Sequence, residues 1–249
     1  KFILTISMNT THNYSPNFDI KKRKSRDIKF IIFHYTGMKK ENDAINRLTS
    51  FNSKVSSHYF IKKNGSIINL VPDLYTSWHA GISFWKKLKK LNKYSIGIEI
   101  HNPGHRYGYK SFNKKQINSV KYLSLKLAKK YNIKREQYLG HSDVAPDRKK
   151  DPGEKFPWEF LSKYRIGLWH SLDKKILKKF RLKKTNNAEK KIFLNNLIKI
   201  GYFLKKKEIN SISFAIKAFQ RRFRPQLVNG KIDLECLEIA KNLIKSGFN

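Results

Sequence analysis

Hydrophobic positions fall into short apolar runs and helical repeats, which together predict a chain of alternating strands and helices. Strands are predicted at 30–34, 58–61, 66–71 and 95–100, and helices at 42–51 and 113–131. The second and third of these runs flank Asn64-Gly65, a dipeptide that favours a β-hairpin turn. Strands mixed with helices in this way predict an α/β fold with a mixed central β-sheet flanked by helices.

The C-terminal third has a different pattern, which predicts a separate domain. Residues 174–190 are almost purely basic and polar, as expected for a linker. Beyond them, three amphipathic patterns predict a small three-helix bundle. The predicted organisation is an N-terminal arm at 1–27, a main domain at 28–173, a basic linker at 174–190 and the bundle at 191–249.

The charge balance is strongly basic and bears on the choice of partner. With 54 Lys and Arg against 18 Asp and Glu, the formal net charge is +36. Such a surface attracts polyanions, including nucleic acid and anionic membrane or cell-wall surfaces. The lysines recur along the whole chain instead of forming one stripe with interleaved aromatics, which favours a composition bias, such as an AT-rich genome produces, as the source of the charge. The same distribution disfavours specific nucleic-acid binding as the main function. Association with a membrane or wall surface stays open.

Cysteine content and apolar run lengths bound the class of protein further. The single cysteine, Cys236, excludes an internal disulfide and a cysteine-rich metal site, and its helical pattern predicts a core position. No run approaches the roughly 20 apolar residues of a membrane span. The first seven residues are largely apolar and begin with Lys, so we interpret them as the end of a trimmed signal peptide.

The strongest chemical signal lies in the segment 140–153. It places His141 ten positions before Asp151, and Pro146 and Pro152 prevent one continuous helix or strand, so we expect a loop. A histidine and a carboxylate are two of the three protein ligands that a catalytic zinc site requires, the fourth position being open to water. The sequence therefore indicates part of a metal site.

His34 is the candidate for the third ligand. It follows the apolar run 30–33 and so stands at the end of a predicted strand, and His141 likewise comes just after the apolar residues Tyr138 and Leu139. Two imidazoles and a carboxylate suit one Zn²⁺ ion per chain. The other histidines that spacing leaves open as ligands are His58, His79, His101, His105 and His170.

A zinc hydrolase also needs groups that handle protons and charge near the metal. Glu99 is an acid within an apolar strand and is the candidate, the alternative being a solvent-facing position on an edge strand. Lys149 could stabilise an anionic intermediate, unless it is one more solvated lysine. Trp78 and His79 precede a turn and suit a groove lining, the alternative being a packed Trp beside a surface His.

Five segments of the sequence resemble the motifs of a known family. They are His34-Tyr35-Thr36, Ser56-Ser57-His58-Tyr59, Trp78-His79-Ala80-Gly81, Ile96-Gly97-Ile98-Glu99 and the segment 140–153. Together they resemble the zinc-dependent N-acetylmuramoyl-L-alanine amidases of the AmpD/AmiD type, relatives of the peptidoglycan-recognition proteins. One departure is His101, where the family often has an acidic residue, which puts fine substrate preference in doubt.

The resemblance assigns roles to individual residues. It implies that His34, His141 and Asp151 hold zinc, that Glu99 is the acid/base and that Lys149 stabilises the oxyanion. It also implies that Trp78, His79 and Arg148 line the substrate groove.

The C-terminal segment resembles a three-helix peptidoglycan-binding domain, which AmiD-type members carry. Its motif runs from Ala215 to Pro225 and continues at 229–233. The implied reaction is hydrolysis of the amide bond between N-acetylmuramic acid, or its 1,6-anhydro form, and L-alanine in peptidoglycan or muropeptides. The implied location is the periplasm or the outer membrane of a Gram-negative bacterium. The alternative is a non-catalytic peptidoglycan-recognition protein.

Overall fold

The computed structural model describes residues 10–204 and 209–247, so the predicted signal-peptide remnant lies outside the described residues. The strands are β1 (Thr10–His12), β2 (Phe18–Asp19), β3 (Phe30–Tyr35), β4 (Tyr59–Ile61), β5 (Ile67–Asn69), β6 (Thr76–Ser77), β7 (Phe84–Trp85), β8 (Leu88–Lys89), β9 (Ser95–Ile100) and β10 (Tyr138–Gly140). The helices are α1 (Glu41–Thr49), α2 (Lys114–Tyr131), α3 (His141–Val144), α4 (Trp158–Ser162), α5 (Lys174–Phe180), α6 (Asn187–Ile200), α7 (Ile209–Phe223) and α8 (Leu234–Ser246).

The chain divides into two compact units, one formed by residues 1–79 and 92–133 and the other by residues 80–91 and 134–249. The first unit contributes five strands to a mixed sheet, in the order β1-β5-β4-β9-β3. Neighbouring strands are parallel except β4 and β5, which form the predicted antiparallel hairpin. The predicted mixed sheet with flanking helices is confirmed.

Helices of the first unit bury the faces that their sequence pattern predicts. On α1, Ala44 and Leu48 pack against Phe60 of β4. The longer α2 begins with a capping box, in which the Asn113 side chain accepts from the backbone N–H of Gln116 and the Gln116 side chain accepts from that of Asn113. Its buried apolar side chains are Ile117, Val120, Leu123 and Leu127. Burial of these stripes is the main source of helix stability here.

The N-terminal arm, predicted at 1–27, is held in place from residue 10 onwards by contacts with distant parts of the chain. Strand β1 pairs in parallel with β5, and β2 pairs with β6. The Arg23 guanidinium donates hydrogen bonds to the backbone oxygens of Asp73, Asn92 and Ser95. Residues 10–27 therefore belong to the first unit, because edge pairing and one multidentate arginine supply the order that local sequence does not.

The second unit contains the predicted three-helix bundle and a hairpin that packs with it. The rings of Phe193 on α6 and Phe219 on α7 meet at 5.3 Å. The β7–β8 hairpin contributes Trp85, which is 1% exposed. A Cβ added to Gly201, at φ +136°, would lie 2.5 Å from the Trp85 ring. Glycine is therefore required where the end of α6 meets the hairpin.

The predicted linker at 174–190 contains a helix and the first turn of another, so its description as a linker needs correction. Asp173 caps α5 by accepting from the backbone N–H groups of Lys175 and Ile176. Arg181 then forms a bidentate ion pair with Glu235 of α8. Residues 134–173 lie in the same compact unit as the C-terminal helices, which differs from the predicted boundary between domains.

Among the described residues, no helix has both the length and the apolar character that a membrane crossing requires.

Cys236 is fully buried in α8, as predicted, and burial raises the pKa of its thiol to about 12. A thiol in this state is a core side chain and an unreactive one at neutral pH.

A buried carboxylate in the first unit leads to a stability prediction. Asp73 accepts hydrogen bonds from the Tyr59 hydroxyl (2.6 Å), the Tyr131 hydroxyl (2.7 Å) and the Lys130 ammonium (2.8 Å). Burial alone raises the pKa of Asp73, but these donors outweigh it and lower the pKa. Hydrogen bonds to a charged group contribute about 2 kcal/mol each, and Asn keeps one acceptor oxygen but replaces the other with an NH₂ group that cannot accept. We therefore expect Asp73→Asn to lower the free energy of unfolding by at least about 2 kcal/mol at pH 7.

Urea denaturation across pH tests this prediction. The pKa of Asp73 is lower in the folded protein than its unfolded value of about 3.9. The stability that this difference contributes is fully present above pH ~3.9 and is lost as the pH falls through the pKa of the folded state. The difference between wild type and Asp73→Asn should therefore shrink below pH ~4. Asp147→Asn, at an exposed position, is the control and should match wild type. Equal stability of Asp73→Asn and wild type at pH 7 would contradict the prediction.

Candidate active site

Strands β3 and β9 place His34 beside Glu99 in the first unit. The two residues are direct partners in the parallel register, and paired residues on neighbouring strands present their side chains on the same face. His34 is 1% exposed, whereas Glu99 is half-buried. Glu99 lies on β9 between β4 and β3, which excludes the alternative that it sits on an edge strand.

His79 is a buried neighbour of His34. Its Nδ1 lies 3.0 Å from Nε2 of His34, and its Nε2 lies 3.1 Å from the Ser95 hydroxyl. The ring covers Gly97, where an added Cβ would come within 2.4 Å. The glycine that interrupts the alternation of β9 is thus explained by the close approach of this imidazole. The alternative of a surface His at position 79 is wrong, and its predicted role in substrate binding stays a prediction.

His58 is a structural histidine. Its Nδ1 accepts a hydrogen bond from the backbone N–H of Gly97 at 3.0 Å, so the ring proton sits on Nε2. This Nε2 lies 3.0 Å from the backbone carbonyl oxygen of Tyr75. Burial, aided by the Arg23 guanidinium, lowers the pKa of His58 to about 3. The ring is therefore neutral at physiological pH, and both nitrogens are used within the fold.

The remaining candidate histidines have partners away from the predicted ligands. His101 Nδ1 lies 3.4 Å from the Thr36 hydroxyl, and His105 Nδ1 lies 2.8 Å from the Tyr35 hydroxyl. His170, in the second unit, is buried, and desolvation lowers its pKa to about 4.

In the second unit, the segment predicted as a loop begins with one turn of helix, α3. His141 opens this helix, so the expectation of loop throughout is corrected for residues 141–144. His141 Nδ1 lies 3.0 Å from Asp151 Oδ2, and the backbone N–H of Ser142 donates to the Asp151 carbonyl oxygen at 2.8 Å. The two predicted ligands are thereby held together across ten positions of sequence.

Arg148 binds the backbone of the turn at 80–82. Its guanidinium donates to the carbonyl oxygens of Ala80 and Ile82. Partial burial lowers its pKa. Gly81 has φ +55°, and a Cβ there would lie 3.2 Å from the guanidinium. Arg148 thus shapes this turn, and its predicted role in lining the substrate groove stays a prediction.

Trp78 and Lys149, the remaining candidate site residues, are partly accessible to solvent. Trp78 is half-buried and donates from its indole N–H to Asp19 at 2.8 Å, and Lys149 is also half-buried. Half-burial of Trp78 fits a groove lining and a partly packed side chain equally. The roles of Trp78 and Lys149 stay predictions.

His34, His141 and Asp151 form a group that could hold a metal ion. Each offers one ligand atom, these atoms lie within 4.8 Å of one another, and all three residues are buried. In the part of the chain that the structure describes, this is the one such group of three or more His, Cys, Asp or Glu. Two imidazoles and one carboxylate match the donor set of catalytic zinc, with a position left for water.

This donor set on a mixed sheet flanked by helices is typical of metal-dependent hydrolases. The family model described as N-acetylmuramoyl-L-alanine amidase matches residues 24–154. The chain belongs to the N-acetylmuramoyl-L-alanine amidase family.

Relatives extend the match beyond the family model. The chain is 34% identical over 235 residues to the N-acetylmuramoyl-L-alanine amidase AmiD of Escherichia coli, covering 88% of this chain and 83% of AmiD. The solved complex of that AmiD with the substrate anhydro-N-acetylmuramic acid-L-Ala-D-gamma-Glu-L-Lys has a TM-score of 0.77 and covers 88% of this chain and 90% of that one. AmpDh3 of Pseudomonas aeruginosa, solved with anhydromuramic pentapeptide, has a TM-score of 0.77 at 28% identity, covering 98% of this chain and 99% of that one.

The bond between His79 and His34 leads to a prediction on metal affinity. A ligating histidine is oriented by the partner of its other ring nitrogen, and loss of that partner typically weakens metal binding about 10–100-fold. We therefore expect His79→Phe, which keeps a ring but removes the nitrogens, to raise the zinc Kd by about tenfold or more. Competition with a chromophoric chelator measures it.

His170→Phe is the matched control, because both histidines are 8% exposed. It should keep the wild-type zinc Kd. An unchanged Kd in His79→Phe would show that the bond to His34 does not orient a ligand.

Proposed function

We propose that this protein hydrolyses the amide bond between N-acetylmuramic acid, or its 1,6-anhydro form, and L-alanine in peptidoglycan or muropeptides. The observation that carries the proposal is the group of His34, His141 and Asp151, with ligand atoms within 4.8 Å of one another, in a member of this amidase family. The relatives named above, AmiD and AmpDh3, were solved with anhydromuramic peptides, which supports this substrate class.

We propose that the metal is zinc, which this set of ligands fits. When bound, Zn²⁺ polarises a carbonyl and makes a water molecule acidic enough to act as a nucleophile near neutral pH. His34, His141 and Asp151 would hold one ion per chain. Their burial keeps bulk water away from the ligand atoms, which strengthens electrostatic interactions at the site.

The position of Glu99 supports a role in proton transfer. Its place in the register beside His34 puts a carboxylate on the same face of the sheet as a metal ligand. We propose that it accepts the proton of the attacking water and donates a proton to the leaving alanine nitrogen. General acid–base catalysis of this kind contributes about 10²–10⁴-fold to the rate.

Lys149 would stabilise the negative charge that develops on the carbonyl oxygen. It lies two residues before Asp151, and its backbone N–H donates to the Ala145 oxygen at 3.0 Å, which fixes the course of the main chain there. A cation placed where charge develops favours the transition state over the substrate. Trp78, His79 and Arg148 are the residues that we propose to line or shape the substrate groove.

The partner and location follow from the same proposal. We propose that the C-terminal helices bind peptidoglycan, which raises the local concentration of substrate. The net charge of +36 supports an association with anionic wall or membrane surfaces. The corresponding location is the periplasm or the outer membrane of a Gram-negative bacterium, and cell fractionation tests it.

Digestion of purified sacculi and of soluble anhydro-muropeptides, with mass spectrometry of the products, tests the reaction. We expect free stem peptides to be released, the release to stop with a chelator and to return with zinc. Release of glycan fragments instead would contradict the proposal. Tight binding to sacculi without release by the zinc-loaded protein would favour the alternative of a non-catalytic recognition protein.

A further inference from the structure

A buried ion pair connects α7 to the turn that carries His141. Arg222 of α7 lies 2.6 Å from Oδ2 of Asp143, and both side chains are 1% exposed. The same carboxylate accepts the backbone N–H of Gly140 at 2.7 Å and the Tyr202 hydroxyl at 2.7 Å. Asp143 is thus fully engaged, with two of its partners supplied by the C-terminal helical region.

The Arg222 guanidinium holds both ends of the segment 138–143. One terminal nitrogen binds Asp143, and the other donates to the Tyr138 carbonyl oxygen at 2.8 Å. The guanidinium also lies 4.3 Å from the centroid of the Trp158 ring. Because the guanidinium is planar and rigid, a fork of this kind fixes the distance between its two acceptors. In the sequence, His141 lies between the two acceptor residues, Tyr138 and Asp143.

The same segment positions Asp151. The backbone N–H of Ser142 donates to the Asp151 carbonyl oxygen at 2.8 Å, and His141 Nδ1 lies 3.0 Å from Asp151 Oδ2. A displacement of segment 138–143 would therefore move both the imidazole and the carboxylate. The mutual placement of these ligands depends on contacts made by α7.

We propose that Arg222 and Tyr202 are positioning residues for the metal centre, so that the C-terminal helices determine its affinity for zinc. The inference rests on the proposed function in one respect, since it takes His141 and Asp151 to be ligands. Neither residue touches substrate or metal in this scheme; each acts through Asp143. Partners of this kind typically change metal affinity about 10–100-fold.

The test is the zinc Kd of Arg222→Met in the full chain, measured by competition with a chromophoric chelator. We expect a Kd about 10–100-fold weaker than that of wild type. Arg222→Lys keeps the charge but cannot bridge two acceptors in the same way, so its Kd should lie between the two. Tyr202→Phe removes one hydrogen bond to Asp143 and should produce a smaller loss.

Arg224→Met is the matched control for loss of a buried arginine. Arg224 lies two residues further along, is fully buried and pairs with Asp233 at 3.1 Å, away from segment 138–143. It should lower the thermal stability of the metal-free protein as Arg222→Met does, and leave the zinc Kd unchanged. Equal weakening by both variants would show general destabilisation and overturn the inference. If Arg222→Met does not fold, Arg222→Lys and Tyr202→Phe decide, and wild-type affinity in both overturns it.

Binding and turnover separate the two proposals. A wild-type protein that binds zinc but releases no stem peptide contradicts the proposed function, while the order of the variants' Kd values still supports or overturns the positioning role. Wild-type zinc affinity in all Arg222 and Tyr202 variants of an active amidase overturns the positioning role alone. A wild type that binds no zinc overturns both.

Discussion

Glu99→Gln is expected to lower kcat by about 10²–10⁴-fold while zinc content and folding stay at wild-type levels. Glutamine has the same size and keeps the place beside His34 on β9, but it cannot accept a proton. The loss should therefore fall on the chemical step. KM for an anhydro-muropeptide should change little, because Glu99 is not among the residues proposed to bind substrate.

Steady-state kinetics, metal analysis and thermal unfolding on the same preparation check this. Glu159→Gln is the control, since Glu159 pairs with Lys174 on the surface and should leave kcat unchanged. Full turnover by zinc-loaded Glu99→Gln would remove Glu99 from the mechanism. Loss of zinc in the variant would instead indicate a role in holding the metal centre.

His141→Ala is expected to lose both zinc and turnover. The substitution removes one of three ligand residues, so the Kd should weaken by more than the about 10–100-fold that loss of an outer partner causes. It also leaves Asp151 without the imidazole that lies 3.0 Å from its carboxylate. Amidase activity should fall to the level of chelator-treated wild type.

Zinc-dependent thermal stability is the second measurement on this variant. A ligand present at about 1,000 times its Kd stabilises the folded state by about 4 kcal/mol, so zinc should raise the Tm of wild type and not that of His141→Ala. His12→Ala, at an exposed position, should behave as wild type. A zinc-induced rise in Tm of equal size in His141→Ala would mean that the metal is held elsewhere.

Much of the fold could be predicted because its elements bury one face each. The runs that became β3, β4, β5 and β9 are apolar on the scale of a strand, and α2 has an apolar stripe of helical period. The order of the arm could not be predicted, because it comes from the pairing of β1 with β5 and from the bonds of Arg23 to residues far away in sequence. Helix α5 was missed because lysines surround its one buried side chain, Leu177.

The site was predictable to the extent that it rests on residue type. His34, His141 and Asp151 have the chemistry of metal ligands, and the structure brings these three together. The partners behind them were not predictable. Arg222 lies 79 positions from Asp143 in the sequence. The chain is rich in lysine and arginine, and no local pattern marks Arg222 as the one of them that would be buried against Asp143. The one local clue was Gly97, whose missing side chain leaves room for His79.

The fit of Gly201 against Trp85 bears on how such enzymes can be recombined. The hairpin is also joined to this region by the Lys86 N–H, which donates to the Gly201 oxygen at 2.8 Å, and by Phe84, which stacks on Phe203 at 4.8 Å. A chimera made by exchanging everything after residue 190 would separate these partners and leave a large indole uncovered. Exchange of the C-terminal helices among amidases should therefore carry residues 80–91 as part of the same cassette.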